Sequence, residues 1–208
     1  MLRASAAQGV DEIVATPHYY ADRESPEVFL RRRHRAFEEL RPYLLREAKL
    51  PRVYLGAEVR YFEGMSHVDQ IVDLTIANTQ LMLVEMPFRA WSQRMIQELS
   101  VLQRHRGIRP ILAHIERYPC FRNTNLLRQL CESGMLLQMN AEVLFSYFPR
   151  MRAEKLIKDG IIEFLATDCH NMTSRKPNLN DGFNVLRTRC GENFVNQWLV
   201  HGNKIIGR

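Results

Sequence analysis

Apolar and polar positions follow two rhythms along this chain. Six short apolar runs rich in β-formers stand out: Glu12–Pro17 (EIVATP), Val53–Val59 (VYLGAEV), Gln80–Met86 (QLMLVEM), Pro110–Ile115 (PILAHI), Leu136–Asn140 (LLQMN) and Glu163–Asp168 (EFLATD). Between them the pattern takes the longer period of amphipathic helices, predicting helices over Pro26–Ala48, His67–Ala77, Trp91–His105, Thr124–Cys131 and Pro149–Lys158. Two more, over Leu179–Cys190 and Glu192–His201, close the chain, and residues 2–8 read as a helix end capped at Gly9. Strand and helix alternating in this way predict βα units and a parallel sheet, open or closed into a barrel. The runs are apolar throughout, as in strands covered on both faces.

Composition narrows the class without naming it. The chain has 208 residues, 46% hydrophobic and 25% charged, which is ordinary for a globular domain. No stretch approaches the ~20 uncharged apolar residues of a membrane helix, and the first residues lack the apolar core of a secretion signal. Cys120, Cys131, Cys169 and Cys190 share no paired spacing and read as reduced thiols. The expectation is a single cytoplasmic domain with no membrane span. The net charge of 29 − 23 = +6 is mild. Its densest run, Arg31-Arg32-Arg33-His34-Arg35, lies in a helical pattern and reads as a solvated face. No nucleic-acid-binding module accompanies it, so nucleic acid is not an expected partner.

The chemistry collects where the strands end. His18 follows EIVATP, Glu58 follows VYLGA, Glu85 follows QLMLV and His114 follows PILA, while Asp168 and His170 follow EFLAT. Only LLQMN ends on a neutral amide, Asn140. In α/β barrels the C-terminal strand ends form the mouth of the active site. Glu58 and Glu85 each interrupt an apolar run, and a desolvated carboxylate is costly unless it is paired or holds a metal. Mixed imidazole and carboxylate donors suit manganese, zinc or iron better than calcium. Arg117 and Arg175 lie in the loops after His114 and His170, and guanidinium groups there suit a phosphate held by bidentate hydrogen bonds. Cys169 precedes Arg175 at a spacing that fits a nucleophilic cysteine by count, but the segment lacks the glycines of a phosphate-wrapping loop.

The segments ATPHYY, GAEV, LVEMP, LAHIERY, QMN and ATDCHN, with Arg175 and a terminal NKIIG, occur in an order that resembles the bacterial PHP-domain tyrosine phosphatases of capsular and extracellular polysaccharide synthesis. The resemblance covers nearly all of the chain. It implies a distorted (β/α)7 barrel over residues 1–208, a trinuclear and usually manganese centre, and action on a phosphotyrosine protein, the polysaccharide-assembly tyrosine kinase. Carried over by position, one metal site would use Glu58, Glu85 and His114. A second would use Glu58 and Asp168, and a third His18 and His170, with Arg117 and Arg175 on the phosphate.

The family's usual first strand, ending in His-x-His before a Leu-Pro-Gly-type loop with an Asp, falls outside these 208 residues. The expectation is therefore about six strands of seven, two metal sites short of ligands, and exposed edges on EIVATP and EFLATD that favour association. Two other readings stay open: a small-molecule phosphatase of the histidinol-phosphate type, and a catalytically impaired homologue that only binds.

Overall fold

The computed structural model describes residues 1–207. Helices α1 (Leu2–Ala6), α2 (Pro26–Arg46), α3 (Gln93–Arg106), α4 (Thr124–Glu132), α5 (Tyr147–Lys158), α6 (Leu179–Cys190) and α7 (Glu192–Ile205) alternate with eight short strands. The strands are β1 (Glu12–Ala15), β2 (His18–Tyr19), β3 (Arg52–Leu55), β4 (Glu58–Arg60), β5 (Leu81–Glu85), β6 (Arg109–Leu112), β7 (Leu136–Asn140) and β8 (Phe164–Ala166). The mixed α/β class and parallel pairing expected from the sequence are both present. The chain folds as two compact units, one built from residues 10–113 and the other from residues 3–9 and His114 onward.

In the 10–113 unit every strand pairing is parallel. β1 runs beside β3 with Glu12 opposite Arg52, and β2 beside β4 with His18 opposite Glu58. Both pairings have an offset of 40 residues (52 − 12 and 58 − 18), so they are one ladder interrupted in the middle. The interruption corrects two predicted strands: the Val53–Val59 run becomes β3 and β4, and the Glu12–Pro17 run stops at Ala15, with β2 formed just beyond it. Pro17 carries no N–H to donate, although its carbonyl accepts from the Glu58 amide at 3.1 Å. Gly56, opposite Thr16 in the same register, sits where a Cβ would come within 3.3 Å of the Ile76, Thr16 and Val14 side chains. β5 continues the order beside β4, and β6 beside β5. α3 starts at Ser92, whose hydroxyl accepts from the Met95 amide at 3.3 Å, and stops at left-handed Gly107. Its Leu99 and Leu102 are buried with Met82, Val84 and Leu112 of the strands.

The helix expected over His67–Ala77 is instead three 3-10 turns, Met65–His67, Asp69–Leu74 and Ile76–Asn78. The β-branched residues Val68, Ile71, Val72, Thr75 and Ile76 weaken a regular helix there. Burial of Met65, Ile71 and Leu74 holds the turns in place.

In the second unit β7 pairs with β8, Asn140 standing opposite Ala166. All five residues of β7 are buried, including the amides Gln138 and Asn140. α6 crosses closely over this sheet because Gly182 has no side chain. A Cβ at that position would stand 2.9 Å from the Ala141 Cβ and 3.1 Å from Leu165 Cδ2. Trp198 of α7 locks the opposite end, donating its indole N–H to the Ile162 carbonyl at 3.0 Å.

Gly182→Val tests this packing. The small gain in helix propensity is outweighed by overpacking, which costs about 1–3 kcal/mol. Urea denaturation is expected to show a lower midpoint with an unchanged slope. A variant as stable as the parent would contradict the close approach.

Candidate metal and phosphate sites

Strand register builds the first cluster. Side chains alternate along a strand, so residues two apart share a face. His18 is paired with Glu58 across β2 and β4, and Arg60 with Glu85 across β4 and β5. Glu85 therefore shares the face of Glu58, displaced diagonally by one pair. One ligand atom from each of His18, Glu58 and Glu85 lies within 4.8 Å of the others. His18 Nδ1 stands 3.8 Å from Glu58 Oε2. Glu58 is buried at 5% exposure, while His18 and Glu85 are half-buried. The His18 ring stacks on Tyr20, centroids 5.5 Å apart, and the guanidinium of Arg23 lies 4.5 Å from the Tyr20 ring centre.

These donors fit a divalent cation. Bonds of ~2.0–2.2 Å put two ligand atoms on one ion at most ~4.4 Å apart, and the three ligand atoms here lie within 4.8 Å of one another. One imidazole nitrogen with two carboxylates is also the mixed set that manganese, zinc and iron accept.

The second cluster belongs to the other unit and is organised around Asp168. Backbone conformation marks it. His114 and Asp168 have positive φ, +34° and +48°, and among the described non-glycine residues only Ala77 shares this. Such left-handed residues are sparse outside glycine and collect at functional sites. They turn the chain sharply just past β6 and β8. His114 is 2% exposed, and its backbone N–H donates to Gln138 Oε1 at 2.9 Å. Gln138 Nε2 then donates to Asn140 Oδ1 at 3.0 Å, and Asn140 Nδ2 to Asp168 Oδ2 at 3.3 Å. Two buried amides thus link the His114 loop to Asp168.

Both candidate phosphate-binding arginines meet on this carboxylate. Arg117 Nη2 is 2.9 Å from Asp168 Oδ2, and Arg175 Nη2 donates to the same oxygen. His170 Nδ1 lies 3.5 Å from Asp168 Oδ1 and 2.9 Å from its backbone carbonyl. The loop carrying Arg175 is closed by the Asn171 side chain, which accepts from the Thr173 and Arg175 amides at 2.9 and 3.0 Å. Arg117, Arg175 and Lys176 line a cavity of about 470 Å³ with Glu142, Asp181, the Thr173 and Ser174 residues, and Phe145. Three cations face two carboxylates there, leaving a net positive lining.

The carried-over grouping set His114 with Glu58 and Glu85, and His18 with His170. The structure gathers His18 with Glu58 and Glu85 within one unit, and His170, Arg117 and Arg175 around Asp168 within the other. The sequence reading missed Glu116, whose carboxyl is pushed up to about 7 by burial, and the amide link through Gln138. Glu116 Oε2 accepts from the Asn140 amide at 3.2 Å. Its signal was present as an acidic residue between His114 and Arg117 on one tight turn.

The four cysteines are free thiols. Burial pushes Cys120 up to about 12, so far less thiolate forms there at a given pH. At pH 8 its alkylation by iodoacetamide is expected to be slower than that of an ordinary thiol by roughly 1,000-fold, rising to the ordinary rate in urea. Peptide mapping that finds Cys120 labelled as fast in the native protein as in urea would contradict this.

Comparison with known proteins shows what the chain resembles. A family model described as capsular polysaccharide synthesis, CpsB/CapC, matches residues 1–206. The tyrosine-protein phosphatase YwqE of Bacillus subtilis is 28% identical over 199 residues, covering 92% of this chain and 76% of that protein. The tyrosine-protein phosphatase CpsB of Streptococcus agalactiae is 24% identical over 218 residues, covering 99% of this chain and 88% of that protein. A solved chain from the crystal structures of YwqE and Streptococcus pneumoniae CpsB, described as unique metal-dependent tyrosine phosphatases, superposes with a TM-score of 0.83 at 26% identity. It covers 98% of this chain and 83% of the solved one.

Proposed function

This chain belongs to the CpsB/CapC family of capsular polysaccharide synthesis, and from that premise we propose that it is a metal-dependent phosphomonoesterase acting on protein phosphotyrosine. The substrate is a tyrosine kinase of polysaccharide assembly, and the setting is the cytoplasm. Among the described residues, no helix is long and apolar enough to cross a membrane.

The observation that carries the reading is the clustered donor set of His18, Glu58 and Glu85. Manganese is the preferred ion, with zinc or iron as alternatives. His114, Asp168 and His170 complete the ligand roles assigned by position. Divalent-metal chemistry polarises phosphoryl oxygens and lowers the pKa of bound water to ~7.

The chain's own residues supply the rest. Arg117 and Arg175 bind phosphoryl oxygens through charge-assisted hydrogen bonds. Asp168 holds both guanidiniums in one place, so the arginines are ordered before substrate arrives. Fixed donors of this kind cost no reorganisation during reaction and act where negative charge builds up. The amides of Gln138 and Asn140 hold Asp168 in turn.

Two measurements test the reading. Mn²⁺ binding by calorimetry is expected to weaken at least tenfold in Glu58→Gln. Turnover of p-nitrophenyl phosphate and of a phosphotyrosine peptide is expected to fall about 100-fold in Arg117→Ala and in Arg175→Ala. Turnover that survives both chelation and Glu58→Gln would overturn the metal-centred mechanism.

A further inference from the structure

The apolar surface beside the phosphate cavity is not explained by phosphate chemistry. Phe145 lines the cavity with Arg117 and Arg175 and is 45% exposed. Next to it in the chain, α5 opens with Tyr147 (58% exposed), Phe148 (81%) and Met151 (50%). Met151 lies four residues from Tyr147 and three from Phe148, so the three side chains share one side of the helix. The Tyr147 and Phe148 rings meet edge to face, centroids 5.3 Å apart and 82° between planes. The Arg150 guanidinium lies 5.5 Å from the Tyr147 ring centre and Arg150 Nε 3.4 Å from Glu154 Oε1, an arrangement that steadies this first turn. Four large apolar side chains thus run outward from the cavity wall. An exposed apolar patch that continues a binding cavity is the usual mark of a contact surface.

We propose that this ridge is the docking surface for the polypeptide segment that carries the phosphorylated tyrosine. The inference rests on the phosphatase reading given above. Charge fixes the orientation. A phosphate dianion is drawn to the lining of Arg117, Arg175 and Lys176, which leaves its tyrosine ring against Phe145, the aromatic residue of the wall. The chain that bears this ring then leaves the cavity over Tyr147, Phe148 and Met151. The ridge therefore selects apolar residues flanking the phosphotyrosine, and it selects polypeptide over small phosphate esters. Aliphatic phosphomonoesters reach the cations but gain nothing from Phe145 or from the ridge.

The test compares the parent chain with the double variant Phe148→Ala, Met151→Ala, which removes only exposed side chains outside the cavity lining. The probes are p-nitrophenyl phosphate, a phosphotyrosine peptide with apolar flanks, and the same peptide carrying a non-hydrolysable phosphonate in place of the phosphate. For the variant, kcat/KM on the phosphopeptide is expected to fall about tenfold through KM, with p-nitrophenyl phosphate turnover unchanged. Affinity for the phosphonate peptide, read by fluorescence anisotropy, is expected to fall by the same factor. Equal affinity in parent and variant overturns the ridge, as does a parallel loss on both esters. A parent dimer that the variant dissolves on size exclusion assigns the ridge to a second copy of this chain and also overturns the proposal. A parent that binds the phosphonate peptide through the ridge but hydrolyses neither ester leaves the docking surface standing and overturns the phosphatase reading. A parent that does neither overturns both.

Discussion

Glu58 is the constraint on which the first cluster depends. A carboxylate at 5% exposure within a strand is expensive, because burial strips its hydration. It is tolerable only with partners that arrive at fixed positions, and parallel register supplies them. The 40-residue offset between the β1–β2 and β3–β4 segments sets His18 directly across from Glu58. One further step in the sheet brings Glu85 onto the same face. Slipping β2 by one residue would turn His18 to the other face and leave Glu58 without this partner, and slipping β5 would remove Glu85, a second carboxylate whose like charge is tolerable beside Glu58 only with a cation between them. The apolar runs that define the strands therefore also define the donor cluster.

A different logic holds the Asp168 cluster. There the organising elements are two left-handed turns and a pair of buried amides. Gln138 and Asn140 occupy positions on β7 that apolar residues would fill more cheaply, and each is satisfied only because the other unit-mates, the His114 amide and the Asp168 carboxylate, face it. The two guanidiniums that converge on Asp168 are thereby held at the cavity edge by a network fixed to the sheet.

Much of this was legible in the sequence. Six apolar runs located the strands, because continuous apolar segments of four to eight residues bounded by turn residues fit only covered strands in a βα alternation. The limits appear at particular residues. The strand of the first run stops short of Pro17, which lacks a donor, and the second run is split at Gly56, which sits too close to its neighbours for a side chain. The stretch after Gly64 looked helical by period, yet its β-branched residues and its burial favour tight turns. For the sites, residue type at strand ends picked out His18, Glu58, Glu85, His114, Asp168 and His170. Which of them meet is a matter of register and of backbone handedness, neither of which is written in residue type. Glu116 and Gln138 were missed because a turn glutamate and a strand glutamine look structural until their partners are seen.

The proposed role of His18, Glu58 and Glu85 is to hold a divalent cation between them. Crystals grown with Mn²⁺ and measured above the manganese absorption edge test it most directly. An anomalous peak is expected within ~2.0–2.2 Å of a His18 ring nitrogen and of carboxylate oxygens from both Glu58 and Glu85. Full manganese occupancy elsewhere in the protein, with no peak between these three side chains, would contradict it.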